Sequence, residues 1–249
     1  MKRLLTVACL ALTITGAQAQ NIVVSAATSL TNAFTEIGPL FEAQNPGVTV
    51  RFNFAGSGTL VQQISNGAPA DVLATADTNT MTRAQNAKLI VAQTRMNFLE
   101  NQLVLITPAA SSLQINSLND LTQTTVTRIA IGNPGTVPAG LYAKQSLETA
   151  QLWQTLSAKL ITAQNVRQAT LYVSLNEVDA GFVYSTDARL AGKAVKVAFV
   201  VNTPEAIIYP VARVARSNQP VIAQKFIQFL KGEQAQKVLT GYGFKSVDS

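Results

Sequence analysis

Residues 48–64 read Val-Thr-Val-Arg-Phe-Asn-Phe-Ala-Gly-Ser-Gly-Thr-Leu-Val-Gln-Gln-Ile, and the fold turns on the six in the middle, Ala55-Gly56-Ser57-Gly58-Thr59-Leu60. Val48 to Phe54 alternate apolar and polar, as a half-buried strand does, and Leu60 to Ile64 begin a helical pattern. The hexapeptide is therefore a glycine turn from strand to helix. Two readings fit it. Ser57 could be a plain N-cap. Alternatively, the turn is half of an oxyanion clamp: the first N–H groups of a helix lack intrahelical partners, the macrodipole favours negative charge there, and glycines let a ligand approach the main chain.

Three other places repeat the pattern. Ile22-Val23-Val24 opens a strand ending in Ser25-Ala26-Ala27-Thr28-Ser29, after which Leu30, Ala33, Phe34, Ile37 and Phe41 recur at helical spacing. Thr127 to Ile131 predicts a strand that runs through Gly132-Asn133-Pro134-Gly135 into Thr136-Val137-Pro138-Ala139-Gly140, with proline suited to a first helical turn. Ile161-Thr162 leads to Ala163-Gln164-Asn165-Val166, where Asn165 is a natural N-cap. Asp179 to Tyr184 forms a strand that delivers a phenol at its end, and Ser185-Thr186-Asp187 starts a short helix stopped by Gly192. Gly38-Pro39 is expected to kink the first helix, and Trp153, Leu156 and Leu160 suggest one amphipathic segment.

Repeated strand and helix imply an α/β fold with mixed, mainly parallel sheets flanked by helices. Crossings near residues 101–107 and 202–210 would divide it into two lobes. Residues 20–101 and 206–249 form the first and 102–205 the second, with a ligand held in the cleft between them by hinge closure.

The amino terminus has Lys2-Arg3, an apolar run from Leu4 to Gly16 and then Ala17-Gln18-Ala19, the layout of a secretory signal peptide removed after residue 19. Export to a bacterial periplasm is expected. The leader carries Cys9, the only cysteine, and histidine is absent throughout. A thiolate nucleophile, a Ser-His-Asp triad and a His or Cys zinc site are thereby excluded from the mature chain. The 19 basic residues less Lys2 and Arg3 stand against 13 acidic ones, a net +4 instead of +6. That modest field could help collect a small anion and is also an ordinary solubility feature. The basic residues are scattered, without interleaved aromatics, so no nucleic acid partner is expected.

Taken together, several stretches resemble the periplasmic substrate-binding proteins of ABC importers, and among them the molybdate-binding proteins. They are Ala26 to Ala33, Phe54 to Leu60, Gly67-Ala68-Pro69-Ala70-Asp71-Val72, Gly132-Asn133-Pro134 with Val137 to Lys144, Asn165-Val166-Arg167, Gly181 to Ala188 and Tyr242-Gly243-Phe244. The resemblance implies a two-lobed, type II periplasmic binding fold whose ligand is molybdate or tungstate. It implies a membrane permease with a cytoplasmic ATPase as partner, a monomer, and neither catalysis nor a cofactor. Carried over residue by residue, it places Ser29 and Ser57 on the anion through hydroxyl and N–H, Ala139 and Val166 through N–H, and Tyr184 through its hydroxyl. All would bond the oxygens of the anion and none its metal atom. A tetrahedral dianion offers only acceptors, so a shell of neutral donors suffices where water is excluded.

Other residues have plainer expected roles. Arg167, beside a proposed contact, could pair with the anion but is expected in a salt bridge or in solvent, Asp71 and Asp77 as caps or pairing partners with no metal between them, and Asp187 as a group that caps or orients the Tyr184 turn. A serine hydrolase at Ser57 is disfavoured because Ala55 stands where a Gly-x-Ser-x-Gly elbow needs glycine. A nucleotide loop is disfavoured because no Gly-Lys-Ser/Thr follows. A receptor for another tetrahedral oxyanion, such as sulfate, is the alternative.

Overall fold

The computed structural model describes residues 20–247, so the expected signal peptide and Cys9 lie outside the described residues. The chain starts with β1 (Gln20–Ala27), α1 (Thr31–Gln44), β2 (Val48–Ala55), α2 (Ser57–Ser65), β3 (Val72–Ala74), α3 (Thr78–Asn86) and β4 (Met96–Asn101). Next come β5 (Leu103–Pro108), β6 (Ile129–Gly132), α4 (Pro138–Thr149), α5 (Trp153–Leu156), β7 (Leu160–Ala163), α6 (Val166–Ser174), β8 (Ala180–Tyr184), α7 (Ser185–Ala191) and β9 (Val195–Val200). It ends with β10 (Ile207–Arg213), α8 (Pro220–Phe229), α9 (Glu233–Gly241) and β11 (Lys245–Ser246).

The strands form two sheets, ordered β11-β4-β10-β3-β1-β2 and β7-β6-β8-β5-β9. Both are mixed, but parallel pairing does not predominate as expected. In the first sheet β1 pairs parallel with β2 and β3, while the β3–β10, β10–β4 and β4–β11 ladders are antiparallel. In the second, β7, β6 and β8 are parallel and β5 pairs antiparallel with β8 and β9. The reason is connectivity. Strand-helix-strand units give parallel neighbours, whereas the strands flanking the two passages between sheets enter against that direction. The first passage is abrupt: β4 ends at Asn101 in one sheet and β5 begins at Leu103 in the other.

Register decides where the turns emerge. Ala27 sits opposite Ala55 and Ala26 opposite Ala74, which levels the carboxyl ends of β1, β2 and β3. Gly132 sits opposite Ala163 in the second sheet. The starts of α1 and α2, and those of α4 and α6, thus leave matching sheet edges. Outside the carboxyl ends of parallel strands is where open α/β sheets bind ligands.

Packing holds these edges firm. Phe34, Phe41, Phe52 and Phe226 form a ring cluster behind the first sheet, with the Phe41 and Phe226 centroids 5.2 Å apart and near perpendicular, a favourable aromatic geometry. The expected kink in α1 is not seen as a break. The helix runs from Thr31 to Gln44 through Pro39, and Gly38 makes room for the Phe52 ring, which a Cβ would meet at 2.9 Å. Leu160 does not continue a helix with Trp153 and Leu156 either. It opens β7, where it pairs with Ile129, because the sheet edge supplies a partner that outweighs helical spacing.

Candidate functional site

Each predicted turn becomes a helix start with a particular capping arrangement. Gly56, not Ser57, is the N-cap of α2, with extended backbone and no side-chain cap bond. Ser57 is the first helical residue, so the plain N-cap reading of its hydroxyl does not hold. Its Oγ instead accepts a hydrogen bond from the Ala76 N–H at 3.0 Å. Ser29 lies in a single 3-10 turn, Thr28–Leu30, that leads into α1. Pro138 and Ala139 are the first two residues of α4. Val166 is the first of α6, and its Asn165 N-cap accepts from the Gln168 N–H at 3.0 Å. As first-turn residues, Ser57, Ala139 and Val166 carry N–H groups without an intrahelical acceptor.

All five predicted contacts line one small pocket. Its wall is built from Ala27, Thr28 and Ser29 of the β1 turn, Ala55, Gly56 and Ser57 of the β2 turn, Ala76, then Val137, Pro138 and Ala139, Asn165 and Val166, and finally Tyr184. The cavity measures only about 10 Å³, far below the roughly 300 Å³ at which pockets for organic ligands begin. It suits an inorganic ion. The lining contains no Lys, Arg, Asp or Glu, so its polar groups are hydroxyls, an amide and main-chain N–H and C=O. Ser57 is 0% and Tyr184 1% exposed, which removes the competing water that would weaken their hydrogen bonds.

The polar groups around the pocket are already ordered. The Tyr184 hydroxyl donates to the Ala76 carbonyl at 3.3 Å, spanning the two sheets. Ser29 Oγ is 3.0 Å from the Tyr209 hydroxyl, which also receives Nδ2 of Asn101 at 3.2 Å. Burial pushes the pKa of Tyr184, Tyr209 and Tyr142 well above the ordinary phenol value, with neighbouring charges such as Asp77 adding to the shift at Tyr142 and Tyr184. All three remain protonated donors at neutral pH.

One contact across the cleft is made by main-chain atoms on both sides. The Gly58 N–H donates to the Thr136 carbonyl at 2.9 Å. A Cβ on Gly58 would lie 2.8 Å from Thr136 Cα, and one on Gly56 would lie 2.9 Å from the Thr136 carbonyl oxygen. These glycines thus admit the opposite lobe, and the Gly58 amide is engaged by that lobe.

Arg167 is in a salt bridge. Its Nε stands 2.5 Å from Oδ1 of Asp187, whose side chain is fully buried. The contact is charge against charge and not an aligned hydrogen bond. Burial pushes Asp187 up to about 6, with the Arg167 charge opposing the shift. Asp187 makes no cap bond at the start of α7, so its expected capping role gives way to this pair. Arg167 also reaches the Ser29 carbonyl with Nη2 at 3.5 Å. Asp71 accepts from the Val23 N–H and the Ser217 hydroxyl, and Asp77 caps α3 through the Thr80 N–H. Among the described residues no group of three His, Cys, Asp or Glu is placed to hold a metal ion.

Four residues of the neighbourhood escaped sequence reasoning: Ala76, Asn101, Tyr142 and Tyr209. Tyr142 lies one turn after Ala139, with a buried hydroxyl that finds no partner among the described residues. The available signals were an amide at the expected crossing, and a tyrosine with a following proline inside the apolar run from Ile207.

The sequence profile of bacterial extracellular solute-binding proteins matches residues 22–245. The chain belongs to that family. Among its relatives, the molybdate-binding protein ModA of Escherichia coli K12 is 41% identical over 229 residues, which span 90% of this chain and 88% of that one. The solved periplasmic molybdate-binding protein of Azotobacter vinelandii superposes with a TM-score of 0.78 at 24% identity, covering 91% of this chain and all of that one. The sulfate-binding protein SubI of Mycobacterium tuberculosis reaches the same 0.78 at 20% identity, covering 92% and 88%. These likenesses place this solute-binding protein in the two-lobed, type II class, and the equal scores mean that fold alone does not choose the anion.

Proposed function

We propose that this solute-binding protein is an exported receptor that captures molybdate, and tungstate with it, and hands the anion to an ABC importer made of a membrane permease and a cytoplasmic ATPase. The observation that carries the reading is the 41% identity, over nine-tenths of the chain, to a protein named for binding molybdate. The pocket supports it chemically. Ser29 and Ser57 would bind with hydroxyl and N–H, Ala139 and Val166 with N–H, and Tyr184 with its hydroxyl. The Tyr184 hydroxyl must then exchange the Ala76 carbonyl for an anion oxygen. Hydrogen bonds to a charged acceptor are worth roughly 1.5 to 3 kcal/mol each, so five or more can hold a dianion without a counter-ion.

The role is binding without catalysis, as a monomer in the periplasm, with no cofactor beyond the cargo itself. Export rests on the leader read over residues 1–19. The likeness to the sulfate-binding protein speaks only of fold, so sulfate enters as a competitor. The test is calorimetric titration of oxyanion-free protein with molybdate, tungstate, sulfate and phosphate in one buffer. One-to-one binding of the first two, with little heat from the others, is expected. Preferential sulfate binding would reassign the cargo.

A further inference from the structure

One charged side chain reaches from the second sheet's helices to the turn that would bind the anion. Arg167 is the second residue of α6, next to Val166. α6 packs on β6 and β8 of the second sheet and also against the Thr28–Leu30 turn that follows β1 of the first. From there Nη2 of Arg167 donates to the Ser29 carbonyl at 3.5 Å. Other hydrogen bonds between the two lobes use hydroxyl, amide or main-chain donors, as at Tyr184, Asn101 and Gly58. Among the described residues only Arg167 brings a formal charge to such a bond.

Asp187 keeps that guanidinium in place. Its side chain is fully buried with Arg167 Nε beside Oδ1, whereas the Arg167 side chain is 25% exposed. A guanidinium is planar and carries its donors in a rigid fork, so an Nε anchored at Asp187 fixes the direction in which Nη2 projects. One edge of the fork is thus held inside the second lobe and the other is offered to the first. A lysine at this position would end one bond short of the second arm. Its charge could still answer Asp187, but it would not carry the rigid reach to Ser29.

We infer that Arg167 is a positioning residue that latches the cleft shut over the bound anion and so slows its release. A bond from α6 to Ser29 exists only while the cleft is shut, so it lowers the free energy of the closed form and leaves the open form unchanged. An anion entering an open cleft meets the same site with or without the latch. One that leaves must first break it. The accepting carbonyl belongs to the residue whose hydroxyl and N–H would hold the anion, so the latch also steadies that turn. A charge that merely drew the anion in would act differently, raising the association rate in a salt-sensitive way. The inference rests on the oxyanion reading of the pocket, and it gives control of how long the ion stays to a side chain outside the pocket lining.

Two variants separate reach from charge. Arg167→Lys keeps a cation for Asp187, and Arg167→Met combined with Asp187→Asn removes both charges without stranding either. The experiment compares them with wild type for molybdate and for sulfate. Calorimetry gives Kd, release of radiolabelled anion into excess unlabelled anion gives the dissociation rate, and the dissociation rate divided by Kd is the association rate. Circular dichroism and urea unfolding of the anion-free proteins establish that each is folded. Both variants should release the anion about tenfold faster or more while associating within about twofold of wild type. Release unchanged within about twofold in the folded variants would overturn the inference. So would an Arg167→Lys protein that releases like wild type while the neutral pair releases faster, since charge and not reach would then be acting, and so would a loss confined to association. If sulfate proves the best ligand, the molybdate assignment falls while the sulfate release rate still tests the latch. A wild type that binds neither anion overturns the latch together with the oxyanion reading.

Discussion

At Ser57 a single hydroxyl has two tasks, accepting from the Ala76 N–H and, on the proposed reading, donating to the anion. Ser57→Ala is expected to weaken molybdate binding by roughly 1.5 to 3 kcal/mol, about ten- to a hundredfold, measured by titration calorimetry. It should also lower the melting temperature of the anion-free protein, because a buried N–H at Ala76 loses its acceptor. Arg167 and Asp187 behave differently. Arg167→Met strands a buried carboxylate and should cost about 3 kcal/mol in denaturant unfolding, the low end for breaking a buried pair because Arg167 keeps 25% exposure. Adding Asp187→Asn should recover most of that loss. The carboxyl of Asp187 titrates higher in the folded chain, near 6, than its ordinary 3.8. It holds its proton more tightly when folded, so its contribution to stability is full below about pH 4 and is lost as pH rises through 6. Comparing urea midpoints of wild type and Asp187→Asn at pH 4.5 and 7 isolates this slope, which the variant should lack. Ser29, Ser57 and Tyr184 were legible because they sit beside turns visible in the local pattern. Tyr209 and Asn101 were not, since their bonds join residues 180 and 108 positions apart.

Among the elements, the strand-to-helix turns carried most of the legible information. Glycine, proline and small residues punctuate the chain where strand spacing changes to helical spacing, and that punctuation survived folding at α1, α2, α4 and α6. What it could not convey was strand direction. The antiparallel ladders of β10 with β3 and β4 depend on where the returning chain enters the sheet, and the two residues of β11 are too few to show alternation. Nor could it tell which partner a glycine serves. Gly58 reads as an anion loop residue, yet its amide and its missing Cβ face Thr136 of the other lobe. Gly58→Ala is accordingly expected to keep the helix content and the anion-free melting temperature near wild type while reducing molybdate affinity at least tenfold, through failed closure. Gly241→Ala, with open space around it, is the control and should bind normally. Circular dichroism, melting and calorimetry on the pair distinguish closure from fold.

On the scale of the whole molecule, two sheets joined by short passages present small, uncharged surfaces to one ion. Binding to the folded form alone stabilises it by about 2.7 kcal/mol at a hundred times the dissociation constant. The melting temperature should therefore climb with the logarithm of molybdate concentration, fall on exhaustive dialysis and recover when the anion is restored. A thermal shift that saturated at one equivalent, with no further rise, would contradict simple linkage. The contact of Gly58 with Thr136 has a consequence for how such a molecule can change over generations. Closure there is made by main-chain atoms that every sequence possesses, so substitutions at Thr136 leave the meeting of the lobes intact. Cargo preference, resting on a few hydroxyls and their distant partners, is free to drift. At this contact closure tolerates variation in the side chain of Thr136 and is vulnerable at two glycines.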